Sequence, residues 1–176
     1  ESEVWSYSAL SLDPKQDRIR RVGINLAAPG DRMADNGTMW FDAPSVGGSS
    51  PSVPVDVKGS QLRKFRQHSS LVSGEGKTWV AGSGVEGLTS VTIGLGKTDS
   101  KSNTYTVRLH FSEPDPVAVG DRVFSVAVQG NTVIDQLDIA KESGGRNRAL
   151  VREVRDIEAD ASVRIDLNAV HGRAIL

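Results

Sequence analysis

Apolar and polar residues alternate along much of the chain. The clearest case is residues 104–111, where every second side chain, from Tyr105 to Phe111, is apolar and the others are Thr, Arg or His. A period of two predicts a β-strand with one buried face. Residues 124–128 and 132–134 repeat the pattern on either side of Gly130, which predicts a hairpin.

Further strands are predicted where shorter alternating runs occur, at residues 22–26, 53–57, 88–95, 149–154 and 163–167. Helical signals are weak. Residues 138–143 precede Gly144-Gly145 and are too short to bury a helical stripe, so we predict a turn there. A parallel α/β fold needs crossover helices of a dozen or more residues, and the pattern contains none. The sequence therefore predicts an all-β, antiparallel β-sandwich that is jelly-roll-like.

Turn-forming residues cluster in segments that we predict to be loops. Residues 27–52 are rich in Gly, Pro, Asn and Asp, and they predict a long irregular excursion at one end of the sandwich. Residues 97–103 predict an exposed hairpin tip, and residues 113–120 a connection stiffened by two prolines. We place one domain at residues 20–176. Residues 1–19 are either a lead-in strand or a linker, and truncation of the final strand stays open.

Composition excludes several classes of function. The 176 residues carry 21 Lys+Arg and 22 Asp+Glu, a net charge of −1, and no Cys. Balanced charge argues against a nucleic-acid partner, and the missing Cys excludes disulfides and a Cys nucleophile. No apolar run is long enough to span a membrane. The acidic start Glu1-Ser2-Glu3 is not a signal peptide.

Catalytic and metal-binding patterns are weak. The histidines have no tight metal-ligand spacing, so we expect no metal centre and no cofactor. A structural calcium ion held by loop carboxylates is the one metal that stays open. Glu113 and Asp115 flank Pro114, but a glycosidase needs two carboxylates that converge across a cleft, which one short loop does not favour. We therefore predict that the protein is not an enzyme.

The aromatic residues give the best candidate for a binding site. Trp40 and Phe41 are adjacent inside the long loop, and in extended backbone neighbouring side chains point to opposite faces. One ring should therefore face a groove, where it can stack on the C–H face of a sugar. The alternative is that Trp40 closes the end of the sandwich. Trp79 is a second stacking candidate, with a core anchor as its alternative.

One stretch resembles the malectin and malectin-like domain family. Leu109-His110-Phe111-Ser112-Glu113 is followed, after a spacer, by Arg122-Val123-Phe124-Ser125-Val126-Ala127-Val128-Gln129-Gly130, and then by Val133-Ile134-Asp135-Gln136-Leu137-Asp138-Ile139. Gly23-Ile24-Asn25 resembles the opening strand of the family. The resemblance covers residues 20–176 and is most specific between Leu109 and Ile139.

The resemblance implies a galactose-binding-domain-like sandwich that binds carbohydrate through long loops at one end. It also implies a bacterial module of a larger exported protein, placed in the periplasm, secreted or on the cell surface, with other domains of the parent chain as partners. Where the family carries an aromatic pair, this chain has Asp115-Pro116. Specificity for a glucose disaccharide therefore does not carry over.

Together these observations predict a non-catalytic carbohydrate-binding module with a glycan ligand. The predicted ligand-binding residues are the aromatic residues, four hydroxyl partners and one histidine near the same end: Trp40, Phe41, Trp79, Asn25, Asp31, Glu113, Asp115 and His171. The alternative is a structural or protein-interaction domain of a bacterial surface or envelope protein, which would explain the missing aromatic pair.

Overall fold

The computed structural model describes residues 18–45, 53–96 and 102–176. The strands are β1 (Gly23–Leu26), β2 (Arg32–Met33), β3 (Met39–Ala43), β4 (Val55–Arg66), β5 (Ser73–Gly74), β6 (Ser83–Gly94), β7 (Asn103–Ser112), β8 (Val123–Val128), β9 (Asn131–Leu137), β10 (Arg148–Ala159) and β11 (Ser162–His171). Two short α-helices, α1 (Thr78–Ala81) and α2 (Ile139–Ser143), and a 3₁₀ turn at Ser69–Leu71 complete the described elements.

The strands form an all-β fold, as predicted. A five-stranded antiparallel sheet has the order β4-β6-β11-β8-β9, and a second sheet has the order β5-β10-β7. Their inward faces share one core, in which the rings of Phe111 and Phe124 lie 6.0 Å apart. Because side chains alternate between faces, Leu109 and Phe111 are buried while Arg108 is exposed.

The long loop after β1 was predicted as irregular, and that prediction was wrong for its first part. Residues 23–43 fold into a small sheet of order β1-β3-β2, in which β1 and β3 pair in parallel. A turn at Asn36-Gly37 reverses the chain, and the Asn36 side chain accepts a hydrogen bond from the Thr38 N–H at 3.2 Å. Turn chemistry therefore joins two strands here. Residues 46–52 lie outside the described residues.

The turn predicted at residues 138–143 is a short helix. Asp138 caps α2 by accepting a hydrogen bond from the Lys141 N–H at 3.0 Å, and Gly144 follows at φ 79°. An acidic N-cap and a left-handed glycine are sufficient to define one helical turn.

The first described residues already belong to the sandwich. Ile19 is 2% exposed within the core, and its N–H donates to the Leu95 carbonyl at 2.8 Å. Arg18 donates to the Ala159 carbonyl at 2.8 Å. The packed domain thus extends to Arg18, two residues before the predicted boundary. The rest of the predicted lead-in, and residues 97–101 of the predicted hairpin tip, lie outside the described residues.

Candidate functional site

Three aromatic side chains meet beside the small sheet. We call Trp40, Trp79 and His110 the indole cluster. The ring centroid of Trp40 lies 5.5 Å from that of Trp79 and 5.4 Å from that of His110, and both pairs are edge-to-face. The three rings come from β3, α1 and the outward face of β7, so the cluster exists only in the folded chain.

A glycine sets the position of Trp40. Gly23 on β1 pairs with Trp40 on β3, and a Cβ on Gly23 would overlap the indole ring. The missing side chain therefore lets the indole lie against the backbone of β1. Trp40 is half-buried, and its Nε1–H has no hydrogen-bond partner among the described residues.

A cleft of about 1360 Å³ opens beside the indole cluster, between β1 and β7. Each of these strands pairs on one side only within the described sheets, so their facing edges leave the gap. Polar side chains on its wall include Asn36, Thr38 and Lys77. Trp40 Nε1 and His110 Nδ1 also lack a hydrogen-bond partner among the described residues, but both atoms are buried. The combination of a half-buried indole with a few polar side chains is typical of a small-molecule site.

Cations lie over the second indole. The Arg32 guanidinium is 4.7 Å and the Lys77 ammonium 5.9 Å from the Trp79 ring centroid. Cation–π contacts of this kind stabilise by about 0.5–1 kcal/mol at exposed sites. They also place positive charge next to the indole cluster.

His110 is neutral in this environment. Burial, reinforced by the nearby positive charges of Lys77 and Arg108, lowers the pKa of His110 to about 4. At neutral pH its ring therefore carries one donor and one acceptor nitrogen, of which Nδ1 is buried.

The lowered pKa of His110 predicts an acid-sensitive fold. The unfolded chain binds this proton near its ordinary pKa of 6.5, whereas the folded chain resists it down to about 4. The stabilisation is complete above about pH 6.5 and is lost as the pH falls, by about 2 kcal/mol between about pH 7 and about pH 5. Urea unfolding at both pH values measures it. A His110→Gln variant should lose the slope, and an unchanged slope in that variant would contradict the assignment.

The other predicted aromatic, Phe41, faces the core. It is 7% exposed, so its predicted role as a stacking ring is corrected: burial keeps it from contacting a ligand. Adjacent Trp40 points the other way, as extended backbone requires. Asn25 lines the cleft but is 5% exposed, and its side-chain oxygen accepts a hydrogen bond from the Ser83 hydroxyl at 3.0 Å. Its amide is therefore already engaged within the fold.

Glu113 and Asp115 belong to a second polar cluster. We call the six residues that form it the charge network: Arg63, Glu86, Glu113, Asp115, Arg122 and Arg173. Arg122 is central, since its guanidinium contacts Glu113 at 2.8 Å, Glu86 at 3.0 Å and Asp115 at 3.1 Å. Glu113 is 0% exposed, so its predicted role as a sugar partner is corrected as well.

Within the charge network, the pKa values of Glu86 and Glu113 shift in opposite directions. Burial raises the pKa of Glu86, but hydrogen bonds from Arg173 and Arg63 outweigh it and hold that pKa at about 2. Burial raises the pKa of Glu113, and the Arg122 charge only partly offsets it. Asp115 also pairs with Arg63. These contacts join β4, β6 and the segments after β7 and β11, which is a structural role.

The two remaining predicted residues lie elsewhere. Asp31 precedes β2 and accepts a hydrogen bond from the Asp42 N–H at 3.0 Å, which joins it to the end of β3. His171 is exposed at the end of β11, where it pairs with Val123 of β8. Neither belongs to the described lining of the cleft. Of the predicted ligand residues, Trp40 and Trp79 thus meet in the indole cluster, whereas Glu113 and Asp115 meet in the charge network.

Sequence reasoning missed His110, Lys77 and Arg32. In the alternating pattern of residues 104–111, His110 falls on the polar face of the strand, which gives no reason to expect ring contacts there. The signal that could have identified it is its place inside the family-like motif after Leu109. Lys77 and Arg32 carry no comparable signal, because their contacts to Trp79 depend on tertiary structure.

Residues 99–175 match the family model described as Malectin domain. The predicted resemblance to the malectin and malectin-like domain family is therefore confirmed, and this part of the chain spans β7 to β11. Among curated proteins, the Arabidopsis thaliana Receptor-like protein 4 is 48% identical over 52 residues, which are 28% of this chain and 8% of that protein.

Solved structures share the fold at low sequence identity. A Bacteroides uniformis beta-glucuronidase superposes with a TM-score of 0.63 at 14% identity, over 87% of this chain and 17% of that one. The ANXUR1 extracellular domain from Arabidopsis thaliana superposes with a TM-score of 0.62 at 13% identity, over 87% of this chain and 45% of that one. The chain thus spans less than half the length of these similar proteins. No helix among the described residues has the length and apolarity to cross a membrane.

Proposed function

We propose that the protein is a non-catalytic carbohydrate-binding domain of a larger exported or surface protein. The observation that carries the proposal is the indole cluster beside a cleft that Trp40 lines together with the polar side chains of Asn36, Thr38 and Lys77. The malectin-like fold supports it, and so does its occurrence in the ANXUR1 extracellular domain. The same comparison supports our proposal of an extracellular, periplasmic or cell-surface location.

The chemistry of the site suits a sugar. Half-buried Trp40 offers an apolar indole against which the C–H face of a pyranose ring can pack. The side chains of Asn36, Thr38 and Lys77 line the same cleft and can then bond hydroxyl groups. One stacked sugar with a few hydrogen bonds gives a dissociation constant of order 0.1–1 mM.

The carboxylates support a non-catalytic role. Glycoside hydrolysis uses an acid and a base, or an acid and a nucleophile, that face the substrate from opposite sides. Glu113 is buried against Arg122, and Asp115 is held by Arg122 and Arg63. Neither carboxylate belongs to the described lining of the cleft.

The proposal is tested by titrating the protein with mono- and oligosaccharides under ligand-observed NMR and calorimetry. Trp40→Ala should weaken the affinity for a bound sugar at least about ten-fold, because the stacking surface is lost. Gly23→Ala should also weaken binding, since the added methyl group displaces the indole although residue 40 remains a tryptophan. Val170→Ala, at a residue that is 51% exposed on β11, is the matched surface control.

A folded Trp40→Ala protein that binds a sugar as tightly as the parent would contradict this site. If no sugar in the series binds the parent protein, the alternative of a structural or protein-interaction domain is favoured. Far-UV circular dichroism of each variant shows whether the fold is kept, so that lost binding is not mistaken for unfolding.

A further inference from the structure

Both methionines of the chain lie opposite each other in the small sheet. Met33 on β2 pairs directly with Met39 on β3, and the 176 residues contain 2 Met and no Cys. The Cβ atoms of directly opposite residues in antiparallel strands lie about 4.5–5.5 Å apart, so two flexible thioether side chains on the same face are within reach of each other. We call Met33 and Met39 the methionine pair.

The two members of the methionine pair differ in their access to solvent. Met33 is 50% exposed, whereas Met39 is half-buried and lies on the same face of β3 as the buried Phe41. Because the chain has no Cys, these two thioethers are its only sulfur atoms. Met33 therefore offers the more accessible of the two sulfurs to an oxidant.

The strand that carries Met33 is held only lightly. β2 is two residues long, both residues are exposed, and both pair with β3. Beyond the methionine pair, the Ala34 N–H donates to the Thr38 carbonyl at 2.9 Å and closes the hairpin. Segments with few buried apolar contacts open locally at low cost. Loss of apolar contact within the methionine pair would therefore act mainly on β2.

The same strand supports the indole cluster. Arg32, the other residue of β2, lies directly opposite Trp40, and its guanidinium is 4.7 Å from the Trp79 ring centroid. Adjacent residues of a strand point to opposite faces, so Arg32 faces the indole cluster while Met33 faces Met39. A shift of Met33 therefore moves the backbone that positions the Arg32 guanidinium.

We propose that Met33 is a modification site for peroxides and that its oxidation to the sulfoxide loosens β2 and displaces Arg32 from Trp79. The Met33 sulfur donates an electron pair to one oxygen of hydrogen peroxide, so an S–O bond forms and the O–O bond breaks. The sulfur is oxidised by two electrons, the peroxide is reduced, and the leaving hydroxide takes up the proton of the transferred oxygen to give water. The sulfoxide is polar, so it turns to solvent instead of packing against Met39. This modification concerns the fold beside the cleft and does not depend on which ligand the cleft binds.

The test treats the full chain with hydrogen peroxide and follows it by peptide mass spectrometry and NMR. We expect Met33 to gain an oxygen at least about five-fold faster than Met39, because susceptibility follows exposure. Hydrogen exchange of the Ala34 N–H should then accelerate at least about ten-fold, since it needs β2 to open. The indole N–H signal of Trp79 should shift as Arg32 leaves. The two methionine sulfoxide reductases, one for each epimer, should restore the original signals.

Met33→Leu, which keeps an apolar side chain of similar size, should exchange slowly at Ala34 before and after peroxide treatment. Met39→Leu is the matched control, since it removes the half-buried sulfur and should leave the response intact. Met33→Gln should speed the exchange of Ala34 without peroxide. Faster oxidation of Met39, or unchanged exchange at Ala34 once Met33 is fully oxidised, overturns the proposal. An equal acceleration in the peroxide-treated Met33→Leu protein also overturns it, because another group would then be the target.

Discussion

Replacing Arg122 with Met is expected to destabilise the domain by about 3–5 kcal/mol. Arg122 is 6% exposed and contacts three carboxylates of the charge network, and its Nη1 donates to the Arg173 carbonyl at 3.0 Å. A Met side chain fills much of the same space but carries no charge. Glu113 would then keep a buried carboxyl with no cation against it, and Glu86 would lose one of its partners.

Urea unfolding at about pH 7 measures the change in the free energy of unfolding. Arg164→Met is the control, because Arg164 pairs with Asp166 on the exposed face of β11, and such pairs contribute about 0–1 kcal/mol. Adding Glu113→Gln to Arg122→Met should recover part of the loss, since it removes the unpaired buried charge. A loss no greater than that of Arg164→Met would show that the charge network does not hold the fold together.

The fold was predictable because alternation reports burial directly. Residues 104–111 alternate, and β7 runs from Asn103 to Ser112 with Leu109 and Phe111 in the core. The prediction was wrong where pairing is decided by tertiary contacts. Residues 39–43 have no alternation of their own and become a strand by pairing with β1 and β2.

The candidate site was predictable only in part. Adjacent Trp40 and Phe41 had to face opposite ways, and the structure shows which one is buried. That Trp40 meets Trp79 and His110 could not be predicted, because the three residues lie on separate elements. The role of Gly23 in making room for the indole could not be predicted either, because it depends on the register of β1 against β3.

The acidic residues misled the sequence interpretation for a physical reason. A carboxylate in a loop is normally solvated and free to bind a ligand, which made Glu113 and Asp115 attractive. Their partners are Arg63 on β4, which is distant in sequence, and Arg122 before β8, which follows a loop whose path the sequence does not specify. Ion-pair partners of this kind are set by topology, which residue patterns do not contain.

The second large effect is expected at Gly87, a buried residue in the middle of β6. Gly87 has φ 84°, and a Cβ there would lie 2.5 Å from the carbonyl oxygen of Ser60 on β4. The neighbouring backbone cannot move aside cheaply, because β4 bulges between Gly59 and Arg63 and Arg173 bonds to the Gln61 carbonyl there. Gly87→Ala should therefore destabilise the domain by about 3 kcal/mol, combining left-handed strain with a steric clash.

Gly130→Ala separates the strain of the left-handed backbone from the steric clash. Gly130 has nearly the same φ, 81°, in the β8–β9 hairpin, but a Cβ there meets no atom within 4 Å. Its substitution should cost about 1 kcal/mol, the cost of the backbone conformation alone. The difference between the two variants in urea unfolding then measures the close approach of β4 to β6. Equal losses would mean that the bulge in β4 relaxes freely and that the close approach costs nothing.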